Sequence, residues 1–98
     1  MNMQQEKNGS KLTIALEGRL DTMTAPELEA ALNDALAGIE ELTFDFEKLE
    51  YISSAGLRVL LAAQKTMNRQ GSMKVKNVNE IVMEIFDVTG FADILTIE

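Results

Sequence analysis

The sequence predicts an α/β domain, a central β-sheet covered on at least one face by helices. Two observations carry that expectation. Apolar residues recur with a period of two in short runs and at helical spacing in longer ones, and the two kinds of run alternate along the 98 residues. Glycines punctuate the junctions, at Gly9, Gly18, Gly38, Gly71 and Gly90, and no repeat or low-complexity segment interrupts them. The implied order is β-β-α-β-α-β-α-β in one domain spanning residues 1–98, a length that supports a single modest core.

Each element has a local reason. Asn8-Gly9 is a hairpin-turn signal, so Met1 to Lys7 is expected as a short antiparallel edge strand. Leu12, Ile14 and Leu16 alternate with Thr13, Ala15 and Glu17, a half-buried strand that Gly18 should end. Thr24-Ala25-Pro26-Glu27 fits a capping box, with Thr24 as N-cap and Glu27 reaching back. Pro26 is tolerated because first-turn amides have no intrahelical partner. Leu28, Ala31, Leu32, Ala35 and Leu36 then form a helical stripe that stops before Gly38. Leu42, Phe44 and Phe46 predict a strand over 42–46, and Leu57, Leu60, Leu61 and Met67 a helix from Ala55 to about Gln70. Met73 and Val75 alternate with Lys74 and Lys76 in a further strand. Asn79 should cap a third helix bearing Ile81, Val82, Ile85, Phe86 and Val88. "ILTI" at 94–97 is expected as the last strand.

Composition narrows the function classes. Apolar residues make up 46% and charged residues 26%, as in a folded soluble chain. Without cysteine there is no disulfide or thiolate chemistry, which fits a reducing compartment. The polar N-terminus is unlike a signal peptide, and no apolar run approaches the ~20 residues of a membrane span. A cytoplasmic location with no membrane contact is therefore expected. The net charge is −7, all of it in residues 1–50, which hold eleven acids and four bases. Tyr51 to Asn79 contains no acid but has Arg58, Lys65, Arg69, Lys74 and Lys76. That run is either a solvated basic face or the surroundings of an anion. A net-acidic chain with few aromatics lacks the phosphate-neutralising excess and stacking platform of a nucleic-acid binder.

Catalysis has little to work with. Having neither histidine nor cysteine excludes Ser-His-Asp and Cys-His constellations and soft or imidazole metal sites. "ISSAG" is not a nucleophile elbow, because Ile52 stands where the first glycine belongs. Neither Gly-rich nucleotide cradle occurs. A divalent cation between Asp21 and Asp45 is conceivable if both sit at one sheet edge, but no metal and no cofactor are expected.

Ser53 and Ser54 are the hydroxyls that ask for an explanation. One reading makes Ser54 the N-cap of the Leu57/Leu60/Leu61 helix. The other adds a modification: a helix N-terminus tolerates a phosphate there, and the small Ala55 and Gly56 leave room for another protein's active site.

At "LEYISSAGLRVLL" the sequence resembles the phosphorylation segment of STAS domains, the anti-sigma factor antagonists of bacteria. "LEGRLDTMTAPELEAAL" is similar to the family's second strand and first helix, and "NVNEIVMEIFDVTGFADILTI" to its third helix and return strand. The resemblance covers nearly the whole chain and implies a STAS-like fold, a mixed sheet of about five strands with three or more helices mainly on one face. It further implies partner switching. The unphosphorylated protein binds an anti-sigma factor of the histidine-kinase-like ATPase fold, which phosphorylates it and lets go; a PP2C-type serine phosphatase resets it. The matching serine is Ser54, with Ser53 the lesser alternative, because Ser53 stands where the family's usual Asp-Ser-[Ser/Thr]-Gly pattern has Asp. Leu20, Asp21, Met23, Thr24, Ser53, Ala55, Gly56 and Arg58 are the positions the resemblance assigns to partner contact. The chain stops at Glu98, so the family's last helix is expected to be absent. The alternative function is a STAS scaffold subunit, never phosphorylated, in a transport or stress-sensing complex.

Overall fold

Strands and helices alternate along the chain almost as the apolar periodicity predicts. The computed structural model describes residues 1–98. Its elements are β1 (Asn2–Asn8), β2 (Lys11–Leu20), α1 (Ala25–Ala35), β3 (Glu41–Ile52), α2 (Ser54–Gln70), β4 (Ser72–Lys76), α3 (Glu80–Thr89) and the single-turn α4 (Phe91–Ile94). The sheet order is β1-β2-β3-β4. β1 pairs antiparallel with β2 through a two-residue turn at Gly9-Ser10, and β2, β3 and β4 run parallel. Parallel neighbours need a crossover, which α1 and α2 supply.

One face of the sheet is dry. Leu12, Ile14, Leu16 and Leu20 of β2, Leu42, Phe44, Phe46, Leu49 and Ile52 of β3, and Met73 and Val75 of β4 are all buried. Leu28 and Leu32 of α1, Leu57, Leu60, Ala63 and Met67 of α2, and Val82 and Phe86 of α3 join them in one cluster. The opposite face carries Thr13, Glu17, Thr43, Asp45 and Lys74 and has no helix over it. Phe46 sits in the centre, its ring 5.8 Å from Phe44 and 6.5 Å from Phe86.

Two strands run further than the sequence suggests. β2 passes through Gly18 at φ 100° instead of ending there. β3 continues to Ile52 because it carries two extra residues relative to β2, at register shifts after Ala15 and after Gly18. Each bulge moves the next inward side chain from two residues on to three, hence the buried series Phe46, Leu49, Ile52. At the C-terminus the expected strand over 94–97 shrinks to one bridge, Val75 with Ile97. The turn of helix from Phe91 consumes Ile94, and only Thr96 to Glu98 are left to bond the backbone of Val75. The sheet therefore has four strands and a bridging tail in place of five.

Removing the Phe46 ring should cost about 3–5 kcal/mol, the usual loss for emptying a buried aromatic site. Ile81→Gln, on the exposed side of α3, should stay within about 0.5 kcal/mol of the parent. Urea unfolding of Phe46→Ala and Ile81→Gln side by side checks both values.

Candidate functional site

β2 and β3 end at the same sheet edge, at Leu20 and Ile52, so α1 and α2 both begin there. Two helix N-termini, with their unpaired amides and positive dipole ends, thus meet over one pair of strands. The amide of Ser53 donates to the Leu20 carbonyl at 2.8 Å and carries the parallel ladder one step beyond the strands. This joins the loop 21–24 to the start of α2.

The loop is organised by Asp21. Its Oδ1 accepts from the amides of Met23 at 3.0 Å and Thr24 at 3.2 Å, and its carbonyl accepts from Ala25 at 2.8 Å. The Thr24 hydroxyl accepts from the Asp21 amide at 2.9 Å and donates to the Arg19 carbonyl at 2.8 Å. The capping box expected at Thr24 and Glu27 does not form. Thr24 already has helical φ/ψ, whereas a capping side chain reaches its amides from an extended residue. Arg19 completes the loop. Its guanidinium lies 4.5 Å over the Tyr51 ring, with Nε 3.8 Å from Oδ2 of Asp21. Partial desolvation would raise the Asp21 carboxyl, but the amides of Thr24 and Met23, the Thr24 hydroxyl and Arg19 outweigh it and hold the group below its ordinary value.

The two serines divide their roles. Ser53 is the N-cap: its backbone is extended, φ −97° and ψ 176°, and its Oγ accepts from the Gly56 amide at 3.4 Å. Ser54 is the first residue of α2, exposed, and its hydroxyl makes no hydrogen bond within the chain. The expected Ser54 cap is thus corrected by one residue. Arg58 is also exposed and forms no ion pair, four residues along the same helix and so one turn from Ser54 on the same side.

Gly56 explains how close the helix sits. A Cβ at this position would lie 2.8 Å from Cγ1 of Ile52, 2.8 Å from Cγ of Leu20 and 3.0 Å from the Leu20 carbonyl oxygen. Gly56 and Leu20 are consequently core residues that set the shape of the surface from beneath. Asp21, Thr24, Ser53 and Ala55 are half-buried around it, and Met23 projects from the loop with 83% of its surface exposed. The positions assigned to partner contact or modification converge here, whereas Asp45 does not and, of the basic run, only Arg58 does. Asp45 lies seven residues before the end of β3, roughly 20 Å away at the rise of a strand. There it accepts from Asn77 at 3.0 Å and from the Glu47 amide at 3.1 Å, so Asp21 and Asp45 cannot share a cation. Arg19 and Tyr51 are the neighbours that sequence reasoning missed.

What lies at this edge is a surface with a projecting methionine and a free hydroxyl. Two grooves lie elsewhere, one of about 330 Å³ on the open sheet face by Glu17, Asp45 and Lys48, the other of about 290 Å³ between α1 and α2. The family described as "Mlab, STAS domain" matches residues 3–96. The chain belongs to the STAS-domain family. It is 29% identical over 98 residues to the anti-sigma-B factor antagonist of Bacillus subtilis, covering 99% of this chain and 90% of that one. Its backbone resembles the anti-sigma factor antagonist SpoIIAA in its unphosphorylated form, with a TM-score of 0.86 at 20% identity over 99% of this chain and 88% of the other. It also resembles the phosphorylated form of SpoIIAA, the Bacillus cell fate determinant, with a TM-score of 0.77 at 19% identity over 99% and 91%. The fold is that of a STAS domain, and no helix is long and apolar enough to cross a membrane.

Gly56→Ala should be a net loss of roughly 1–2 kcal/mol. The new methyl overpacks against Leu20 and Ile52, and that outweighs the better helix propensity of alanine; thermal unfolding measures it. The Asp21 loop should respond to acid. A carboxyl with a depressed folded pKa stabilises the fold fully above its unfolded value near 3.8 and loses that contribution as the pH falls through the lower folded value. NMR titration should show the Met23 and Thr24 amides shifting together with a midpoint below 3.8, and no such step in Asp21→Asn.

Proposed function

We propose that this chain is an anti-sigma factor antagonist that works by partner switching, with Ser54 as the phosphorylated residue. The observation that carries the proposal is the division of labour between the serines. The Ser53 hydroxyl is engaged in capping α2, while that of Ser54 is exposed and unbonded at the helix N-terminus. A kinase can take Ser54 without breaking a bond that the fold uses. The anti-sigma-B factor antagonist relationship and the existence of SpoIIAA in phosphorylated and unphosphorylated forms support the same reading.

The physical sequence of events follows from charge. Unmodified, the surface formed by Met23, Thr24, Ser54, Ala55 and Arg58, shaped by Leu20, Asp21, Ser53 and Gly56, binds an anti-sigma factor of the histidine-kinase-like ATPase fold. That partner transfers the γ-phosphoryl of its own ATP to the Ser54 oxygen, the serine proton is released, and ADP leaves. The phosphoserine adds about two negative charges, held locally by the first-turn amides and by Arg58 one turn on. An interface that had received a neutral hydroxyl then has to desolvate a dianion, and the complex separates. A PP2C-type phosphatase restores the hydroxyl. The chain supplies no catalytic group to either step and works in the cytoplasm without nucleic acid, membrane or cofactor.

A second reading keeps the same surface with no phosphorylation, as a scaffold subunit of a transport or stress-sensing complex. Ser53 in the place of the family's usual Asp favours it, since a recognition charge is missing.

One experiment separates them. The protein is mixed with ATP, Mg²⁺ and an ATPase-fold anti-sigma kinase encoded in the same genome, and its intact mass is recorded. A single phosphate mapping to Ser54, absent from Ser54→Ala, is the expected outcome. Ser54→Ala should keep its fold, since the cap is on Ser53, and should bind that kinase persistently. Ser54→Asp should bind it more weakly. No phosphate with any such kinase would leave the scaffold reading.

A further inference from the structure

α3 and α4 are built as an amphipathic surface that the core only half uses. Val82 and Phe86 enter the core, but Val88 is 78% exposed, Ile81 60% and Ile94 45%. Of the apolar residues the sequence places on this helix, Ile81 and Val88 fall on the exposed flank. Ile81, Ile85 and Val88 follow one another at spacings of four and three, the pattern of a continuous ridge on a helix. Ile85 is half-buried beneath it, and Ile94 of α4 lies further along the chain.

The charges beside this ridge have one sign. Residues 77–98 contain Glu80, Glu84, Asp87, Asp93 and Glu98 and no base. Only Glu98 forms an ion pair, with Lys74 at 3.5 Å, so the four acids of α3 and α4 are unmatched within the chain. An apolar ridge bordered by uncompensated acids is complementary to a helix with an apolar face and basic flanks. A second copy of this chain fits poorly, because a two-fold contact would set the same acids against each other. An anionic bilayer is repelled for the same reason.

We propose that the α3–α4 face is a docking surface, separate from the Ser54 site, for a basic amphipathic helix of a partner protein. The apolar ridge supplies the contact and the unpaired acids select a cationic partner. The inference does not depend on phosphorylation of Ser54.

The probe is a synthetic helical peptide of leucines and lysines with the leucines on one face, together with its scrambled isomer, titrated into the full chain and followed by NMR. The amphipathic peptide should shift amides of α3 and α4 and leave the first turn of α2 unmoved. The double variant I81Q/V88S should bind about tenfold more weakly, as expected for losing two apolar anchors. E84Q/D87N should weaken binding and flatten its salt dependence, while Ser54→Asp changes nothing. These side chains are exposed, so circular dichroism should show each variant folded. Equal binding of the scrambled isomer, shifts centred elsewhere, or no binding overturns the proposal. So does a dimer that I81Q/V88S abolishes, or flotation of the chain with phosphatidylcholine vesicles lost in that variant, because either gives the ridge a different occupant.

Discussion

The first turn of α2 lies so close on the ends of β2 and β3 that position 56 has no room for a side chain, and the site depends on that contact. Gly56 brings the helix against Leu20 and Ile52, and the bond from the Ser53 amide to the Leu20 carbonyl fixes the direction in which it leaves the sheet. Everything exposed at this edge inherits its position from those buried atoms. Ser54 is held outward because Ser53 is held inward. Arg58 follows one turn later on a helix whose opposite side, through Leu57 and Leu60, is locked in the core.

Such rigidity suits a switch that changes charge without changing shape. The capping hydroxyl of Ser53 is half-buried and turned to the Gly56 amide, less open to another protein's active site than the exposed hydroxyl of Ser54. Because the capping falls to Ser53, a group attached to Ser54 would take no hydrogen bond from the cap. Asp21 plays the corresponding part on the other side. Its carboxylate is consumed by the amides of Met23 and Thr24 and leans on Arg19, so it acts as the fixed hinge of a loop whose exposed member is Met23. One loop presents an apolar knob, the other a modifiable hydroxyl, and neither uses the presented group for stability.

Most of this was legible in the sequence where the chain obeys a single period. The alternation in residues 11–17, the stripe from Leu28 to Leu36, and Asn79 as a cap all stand: Asn79 Oδ1 accepts from the Val82 amide at 2.8 Å while its Nδ2 donates to the Leu49 carbonyl at 2.7 Å. What was not legible is where the period slips. Leu42, Phe44 and Phe46 are two apart and Leu49 and Ile52 three apart, a change that a bulged strand produces and that resembles the end of a strand when only the sequence is at hand. Without those bulges Arg19 and Tyr51 have no predictable register, which is why their stacking came only from the structure. The serines were misassigned by one residue for a related reason. Both are good caps in isolation, and the choice falls to Ser53 because its amide is already bonded to β2 in an extended conformation.

The distribution of charge then separates two surfaces on a domain only 32 × 26 × 20 Å across. From Tyr51 to Asn79 there is no acid; from Asn77 to Glu98 there is no base. α3 begins near the Ser54 edge, where Asn79 is bonded to Leu49, and runs away from it, Phe86 packing on Phe46 further back along β3. Val88 lies eight residues down α3 from Glu80, about 12 Å at the rise of a helix. That exceeds the screening length of about 8 Å at physiological ionic strength. A dianion on Ser54 would be felt by Arg58 one turn away and be largely screened at Val88, the far end of the ridge, while Ile81 lies at its near end. On the proposed reading, two partners can then be held by one small fold, and modification of Ser54 acts on only one of them.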